Sequence, residues 1–254
     1  MIIWDIETGP QPDDRLRQIF GDPDVGIADP GQFDPSSVKV GNLKDAAKIK
    51  EKIDAAAEHA ALADSYPQRL AEAKAAAFAE FKSRAALSAT TGQILCVGYH
   101  NPETDKTAIY DGANKDGDTP EVRILGRFWA KFEECKQQKR PMIGLNIHDF
   151  DLPFIMRRSW ILGVETPRGV LTQGRFWCDT FIDLRKLWLC GQMANGTKSS
   201  FDELAAAFGT SGKPSGISGG DFARLWEEDR ATAIAYLEND LKQPAKWAAA
   251  MGAA

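Results

Sequence analysis

Five residues in three short stretches have the types and spacing for metal-assisted hydrolysis. Asp5 and Glu7 stand two apart in Met-Ile-Ile-Trp-Asp-Ile-Glu-Thr-Gly-Pro, the first ten residues. Residues 1–6 are mostly apolar and β-prone, and alternate strand residues share a face, so both carboxylates project together. Two carboxylates aimed at one point repel, so a cation must lie between them or one must hold a proton. An all-oxygen donor set suits a hard divalent ion such as Mg2+ or Mn2+. Taken alone, the stretch fits a strand end with two solvated acids equally well. Asp151 follows a short apolar strand at a helix start, where α/β sheets hold ligands and where Asp also serves as a helix cap. Asp149 competes with it two residues earlier. Tyr236 and Asp240, four apart, share one face of the last helix. That spacing serves a site, or a packed Tyr beside a solvated Asp.

The elements that must position these groups follow from pattern. Residues 1–6 form the first strand, Gln93–Tyr99 the second and Thr107–Tyr110 the third, the last two joined by a polar turn as an antiparallel hairpin. Thr119-Pro120-Glu121 opens a helix whose core positions are Val122, Leu125, Trp129 and Phe132. Met142–Leu145 is a short buried strand, followed by a helix with Pro153 in its first turn and Gly163 as its stop. A fifth strand is expected over Arg175–Thr180 and a helix through Asp183–Leu189. Ser200-Phe-Asp-Glu203 is a capping box, and a Gly/Ser loop with Lys213 follows. The last helix starts near Arg230, with Pro244 kinking or interrupting it. Residues 11–42 read as irregular. Ala-, Lys- and Glu-rich residues beyond them read as two helices, 43–64 and 67–87, divided at Pro67. These form a structural insertion, or a flap over a substrate groove using Lys44, Lys48, Lys50 and Lys52.

Together the three stretches resemble the three exonuclease motifs of the DEDD superfamily. The first is Asp5-Ile-Glu7-Thr8. The second, Gly144-Leu-Asn146-Ile-His-Asp-Phe-Asp151-Leu-Pro-Phe, looks like the proofreading exonuclease of family B DNA polymerases. The third, Tyr236-Leu-Glu-Asn-Asp240, is similar to that of the Tyr-containing subtype. The resemblance implies an α/β, ribonuclease H-like fold: a mixed five-stranded sheet, order 3-2-1-4-5, flanked by helices, here a single domain over 1–254 with an irregular and Ala-rich helical insertion at 11–90. It implies a 3'-5' exonuclease that releases nucleoside 5'-monophosphates with two Mg2+ or Mn2+ ions. In that pattern Asp5 bridges both ions, Glu7 and Asp240 complete the ion that activates water, Asp151 serves the second, and Tyr236 orients the attacking water. Thr8, Asn146, Phe150, Phe154 and Lys213 are candidates for substrate contact, each weighed against a structural or solvated role. The partner is a nucleic-acid 3' end, DNA favoured over RNA, and proofreading would need a separate polymerase or a replication or repair protein. The alternatives are an exoribonuclease, and a nucleic-acid- or partner-binding module that no longer cuts. Two features depart from the pattern: the long helical region, and Pro244 just beyond the third motif.

Bulk composition is consistent with this. The chain has 254 residues, 43% hydrophobic and 26% charged, enough for a full core. A net charge of -5 speaks against a protein that coats nucleic acid electrostatically, but a carboxylate-rich metal site contributes negative charge. The four cysteines are widely spaced, without a zinc or disulfide pattern, and no apolar run has the length of a membrane span. With no leader pattern at the first strand, a cytoplasmic location is expected. Asp179, Asp183 and the histidines have no expected catalytic role.

Overall fold

The strand that carries Asp5 and Glu7, β1 (Ile2–Pro10), is the middle of the sheet. The computed structural model describes residues 1–32, 45–113, 119–172, 174, 176–191, 198–214 and 217–253. β2 (Gly92–Asn101) pairs antiparallel with β1, and β3 (Lys106–Tyr110) antiparallel with β2. β4 (Met142–Gly144) runs parallel to β1 on its other side. The short ribbon of β5 (Leu171–Thr172) and β6 (Phe176–Trp177) stands apart from the sheet. β7 (Phe181–Asp183) then adds parallel to β4, giving the order β3-β2-β1-β4-β7. The expected five-stranded mixed sheet is therefore present, with its last strand displaced. The Arg175–Thr180 expectation falls mostly on the ribbon and the turn after it, because Phe176 and Trp177 pair locally with Thr172 and Leu171.

Chain Met1–Gln11 with Ala85–Ala254 forms one compact unit and Pro12–Arg84 a second. In the first, alternation along β1 sorts side chains between two cores. Ile2, Trp4 and Ile6 face α3 (Pro120–Gln137) and α4 (Asp151–Leu162), where Trp4 packs on Phe128 at 4.8 Å between ring centroids. Ile3 joins the opposite core with α6 (Phe201–Phe208), α7 (Phe222–Glu228) and α8 (Arg230–Ala250). Odd-numbered Asp5 and Glu7 share the α8 side with Ile3. Gly98, directly across the ladder from Asp5, lets α8 come close: a Cβ there would lie 2.6 Å from Leu241 Cδ1 and 3.2 Å from Leu237 Cδ2. The register shifts between Glu7 and Thr8, a bulge at the site end of β1.

α4 is fixed by a buried fork. Arg158 donates to both Glu121 oxygens on α3, at 2.8 and 2.6 Å, and to the Ala89 carbonyl at 3.0 Å. Glu121 also accepts from the Ile94 amide. Gly163 ends α4 in the left-handed conformation, as expected, and Ser200 and Glu203 form the expected capping box. α8 runs unbroken through Pro244 to Ala250, so the expected interruption does not occur. Pro244 has no N–H for the Asp240 carbonyl one turn back, and burial of Pro244, Ala245, Trp247 and Ala248 carries the helix on.

The second unit holds α1 (Asp13–Phe20), a helix where the sequence pattern predicts irregular chain, and α2 (Ala46–Arg84). α2 is one helix and not two: Pro67 lies inside it. A proline there costs roughly 3 kcal/mol, which the Ala-, Glu- and Lys-rich turns on either side outweigh. Asp45 caps its start by accepting from the Ala47 amide; residues 43 and 44 lie outside the described residues. Phe20, Phe78 and Phe81 cluster between α1 and α2, Arg17 covers Phe78 at 4.1 Å, and Lys82 pairs with Asp13. Ile53 and Leu62 are exposed. No helix among the described residues is long and apolar enough to cross a membrane.

Candidate metal centre

Carboxylate oxygens of Asp5, Glu7 and Asp240 lie within 4.8 Å of one another. β1 supplies the first two. α8 supplies the third, brought over β2 by the bare backbone of Gly98. Asp151, the first residue of α4, completes the group. Its Oδ1 accepts from the Ile6 amide at 3.4 Å, and its side chain lines the same cavity as Asp5, Glu7 and Asp240. Glu7, Asp151 and Asp240 are buried. Asp149, by contrast, is exposed and paired with Lys186 at 2.7 Å.

Burial acts on all four acids, and repulsion within the cluster adds to it at Asp5 and Glu7. Burial, then repulsion from Asp151, Glu7 and Asp240, holds Asp5 well above the usual carboxylate range. Burial, then Asp240, does the same to Glu7. Burial pushes Asp151 up to about 7, against the hydrogen bonds to its carboxylate. Burial also raises Asp240, although Lys213 opposes it. Asp240 Oδ1 is buried with no hydrogen-bond partner. Four oxygen-donor acids, raised proton affinity and an unpartnered buried oxygen are what a hard divalent cation satisfies. Among the described residues the candidate metal group is made of acids alone, without a histidine.

The ammonium of Lys213 stands in this cluster. Its Nζ lies 3.0 Å from Asp240 Oδ2 and donates to the Tyr236 hydroxyl. Burial pulls the ammonium's proton affinity down, but Asp240 and Tyr236 outweigh it and the net shift is upward. Burial raises the Tyr236 phenol too, so the hydroxyl keeps its proton at neutral pH. The solvated lysine weighed from sequence is thus replaced by a lysine in the site. Two contacts dock its loop: Asp202 accepts from the Lys213 amide at 2.7 Å, and Asn239 donates to the Gly212 carbonyl. No local signal could have found this, because the loop meets α8 only in the folded chain.

A cavity of about 200 Å3 opens on the acids, with Phe150, Asn146, Lys213 and Tyr236 on its wall. Phe150 is half-buried there, while Phe154 is 2% exposed within the core and presents no face to a base. Phe154 is therefore corrected to a packing residue. Thr8 donates from Oγ1 to the Ala86 carbonyl at 2.9 Å. Asn146 has a left-handed backbone, φ 63, and its side chain accepts from Arg185 at 2.7 Å. Asp183 sets that turn: it caps α5 (Leu184–Trp188) through the Arg185 amide and also accepts from the Asn146 and His148 amides, each at 2.9 Å. Its sequence signal was that of an Asp helix cap between a strand and Leu-Arg-Lys.

The mixed sheet, in the order β3-β2-β1-β4-β7 and flanked by helices, is a ribonuclease H-like fold. The RNase_H_2 family, of the RNase_H superfamily, matches residues 85–244, more than half of the chain, and the protein belongs to that family. The matched stretch carries Asp151, Tyr236 and Asp240; Asp5 and Glu7 precede it. No curated protein matches the chain.

Proposed function

We propose that this protein is a divalent-metal-dependent 3'-5' exonuclease that hydrolyses the terminal phosphodiester of single-stranded DNA and releases nucleoside 5'-monophosphates. One observation carries the reading: carboxylate oxygens of Asp5, Glu7 and Asp240 converge within 4.8 Å of one another, and Asp151 lines the same cavity. Two Mg2+ or Mn2+ ions bound there would lower the pKa of a water toward neutrality and offset charge at the phosphoryl group.

The chain's own groups do the rest. Asp5, Glu7 and Asp240 would hold one ion, and Asp5 with Asp151 would hold the other. The Tyr236 hydroxyl, held in its protonated form by burial, orients the attacking water and does not remove its proton. Lys213, 3.0 Å from Asp240, is within reach of a phosphate in the same cavity and would offset its charge. Half-buried Phe150 stacks on the terminal base, and Asn146 lines the cavity beside it.

Digestion of 5'-labelled and 3'-labelled single-stranded DNA and RNA, with Mg2+, Mn2+ or EDTA, tests the reading. The expected result is progressive shortening of 5'-labelled DNA from its 3' end with either metal and none in EDTA. Faster loss of RNA would make the protein an exoribonuclease. Activity in excess EDTA, or no cleavage with either metal, would overturn the metal mechanism.

A further inference from the structure

Beside the carboxylates lies a second cavity of about 500 Å3, and its chemistry is opposite. Arg185, Lys198 and Lys213 face it with Ser199 and Ser200, and Glu203 is its single acid. Glu203 is occupied: it accepts from the Ser200 amide and hydroxyl in the capping box, with Lys198 at 3.8 Å. Asn146, Leu145, Phe201 and Lys213 line both cavities, so the two adjoin.

Arg185 is the built part of this wall. It donates from Nε to Ser199 Oγ at 3.0 Å and from Nη1 to Asn146 Oδ1 at 2.7 Å, with Asp149 3.6 Å from Nη1. Ser199 is buried, and Asn146 is held in its left-handed turn by Asp183. These bonds fix the guanidinium plane and leave the Nη2 donors without a partner among the described residues. A fixed, half-buried guanidinium with donors to spare is suited to a phosphate.

We propose that this cavity holds the backbone phosphate one step upstream of the scissile one, with Arg185 as its principal ligand. The inference rests on the 3'-5' exonuclease reading. A 3'-terminal nucleoside carries only a hydroxyl beyond the scissile phosphate, so a second phosphate near the centre belongs to the strand left behind. The acid cluster repels a phosphate not matched to its cations, and the cationic wall next to it is where the strand leads. Such a contact grips the backbone without reading sequence.

The test needs no mutation at first. Single-turnover cleavage by the wild-type protein, with Mn2+, is compared on a single-stranded DNA oligonucleotide and on the same oligonucleotide carrying one uncharged methylphosphonate at the phosphate upstream of the terminal one. Loss of one charge-assisted contact should lower kcat/KM by about tenfold or more. Arg185→Gln should lose a similar factor on the unmodified strand and little further on the modified one, because both changes remove the same contact. Equal wild-type rates on the two strands, or additive losses in the Gln variant, would overturn the subsite. Hydrolysis of the 4-nitrophenyl ester of thymidine 5'-monophosphate, which has no upstream phosphate, reports the chemistry separately. If the wild type cuts neither the ester nor either strand, the exonuclease reading itself falls, and the subsite with it.

Discussion

Lys213 Nζ lies 3.0 Å from Asp240 Oδ2, which places a protein cation against one of the three clustered carboxylates. The pair is largely buried, at 30% and 7% side-chain exposure, so removing the ammonium leaves an uncompensated acid. Lys213→Ala should therefore lower the stability of metal-free protein by about 1–3 kcal/mol. It should also enlarge the gain in melting temperature on adding Mn2+, since the ion no longer competes with an ammonium for Asp240. Melts in EDTA and in Mn2+ check both halves. A variant with wild-type melting in both would make the contact incidental.

The raised acids give metal-free protein an unusual pH dependence. Asp5, Glu7, Asp151 and Asp240 all bind protons more tightly folded than unfolded, where Asp and Glu titrate near ~4. Their stabilising contribution is complete below that pH and is lost as pH rises through the folded values, including about 7 for Asp151. Stability in EDTA should thus fall across this window. His100 and His148, whose pKa values burial lowers, contribute with the opposite sign. The comparison that isolates the acids is wild type against Asp5→Asn in urea melts from pH 5 to 8. The variant's slope should be the flatter. Equal slopes would mean that Asp5 does not take part in the coupled titration.

The legible parts of this protein were those that depend on neighbours in sequence. Alternation along β1 placed Asp5 and Glu7 on one face, the i,i+4 spacing placed Tyr236 with Asp240, and the capping box at Ser200 and the stop at Gly163 stand as expected. What was not legible depends on contacts distant in sequence. Pro67 and Pro244 look like breaks, yet helical turns and buried packing carry both helices through. The outer strand could not be separated from the ribbon, because the three residues Phe181–Asp183 make a strand only when Met142–Gly144 lies alongside. Arg185 and Gly98 carry no local signature; each acquires its role from a partner distant in sequence.

Asp151 and Asp149 differ sharply in surroundings. The first is buried against Asp5; the second is exposed and paired with Lys186. Asp151→Asn should reduce cleavage by at least about 100-fold, the scale for losing a preorganised electrostatic group. Asp149→Asn should leave cleavage within a few-fold and cost less than about 1 kcal/mol, as for other exposed pairs. Single-turnover assays rank the two, and the reverse ranking would move the second ligand to Asp149.

Tyr236 is 1% exposed, and its hydroxyl meets Lys213 beside Asp240. Tyr236→Phe keeps the ring against Phe222 and removes only the hydroxyl. Turnover should fall by roughly 10²–10⁴-fold if the hydroxyl orients the water, with metal and strand binding little changed. Wild-type turnover in the Phe variant would reduce Tyr236 to a packing residue.

Gly98 tests whether the distance between α8 and the sheet sets activity. Ala at this position would bring its Cβ to 2.6 Å from Leu241 Cδ1 and 3.2 Å from Leu237 Cδ2. Both are ends of flexible side chains, so the core can yield, at an overpacking cost of about 1–3 kcal/mol. Any displacement of α8 carries Asp240 away from Asp5, which Gly98 faces across the ladder. Gly98→Ala should therefore lower both stability and metal affinity. Leu241→Ala in the same chain should restore metal affinity by making room, while stability stays low because the core has lost a buried leucine. That split between the two readouts separates positioning of Asp240 from general weakening of the fold. It would be visible in Mn2+ titrations set beside urea melts of the single and double variants. If the second substitution leaves metal affinity as poor as in Gly98→Ala alone, close approach of α8 at Gly98 is not what positions Asp240.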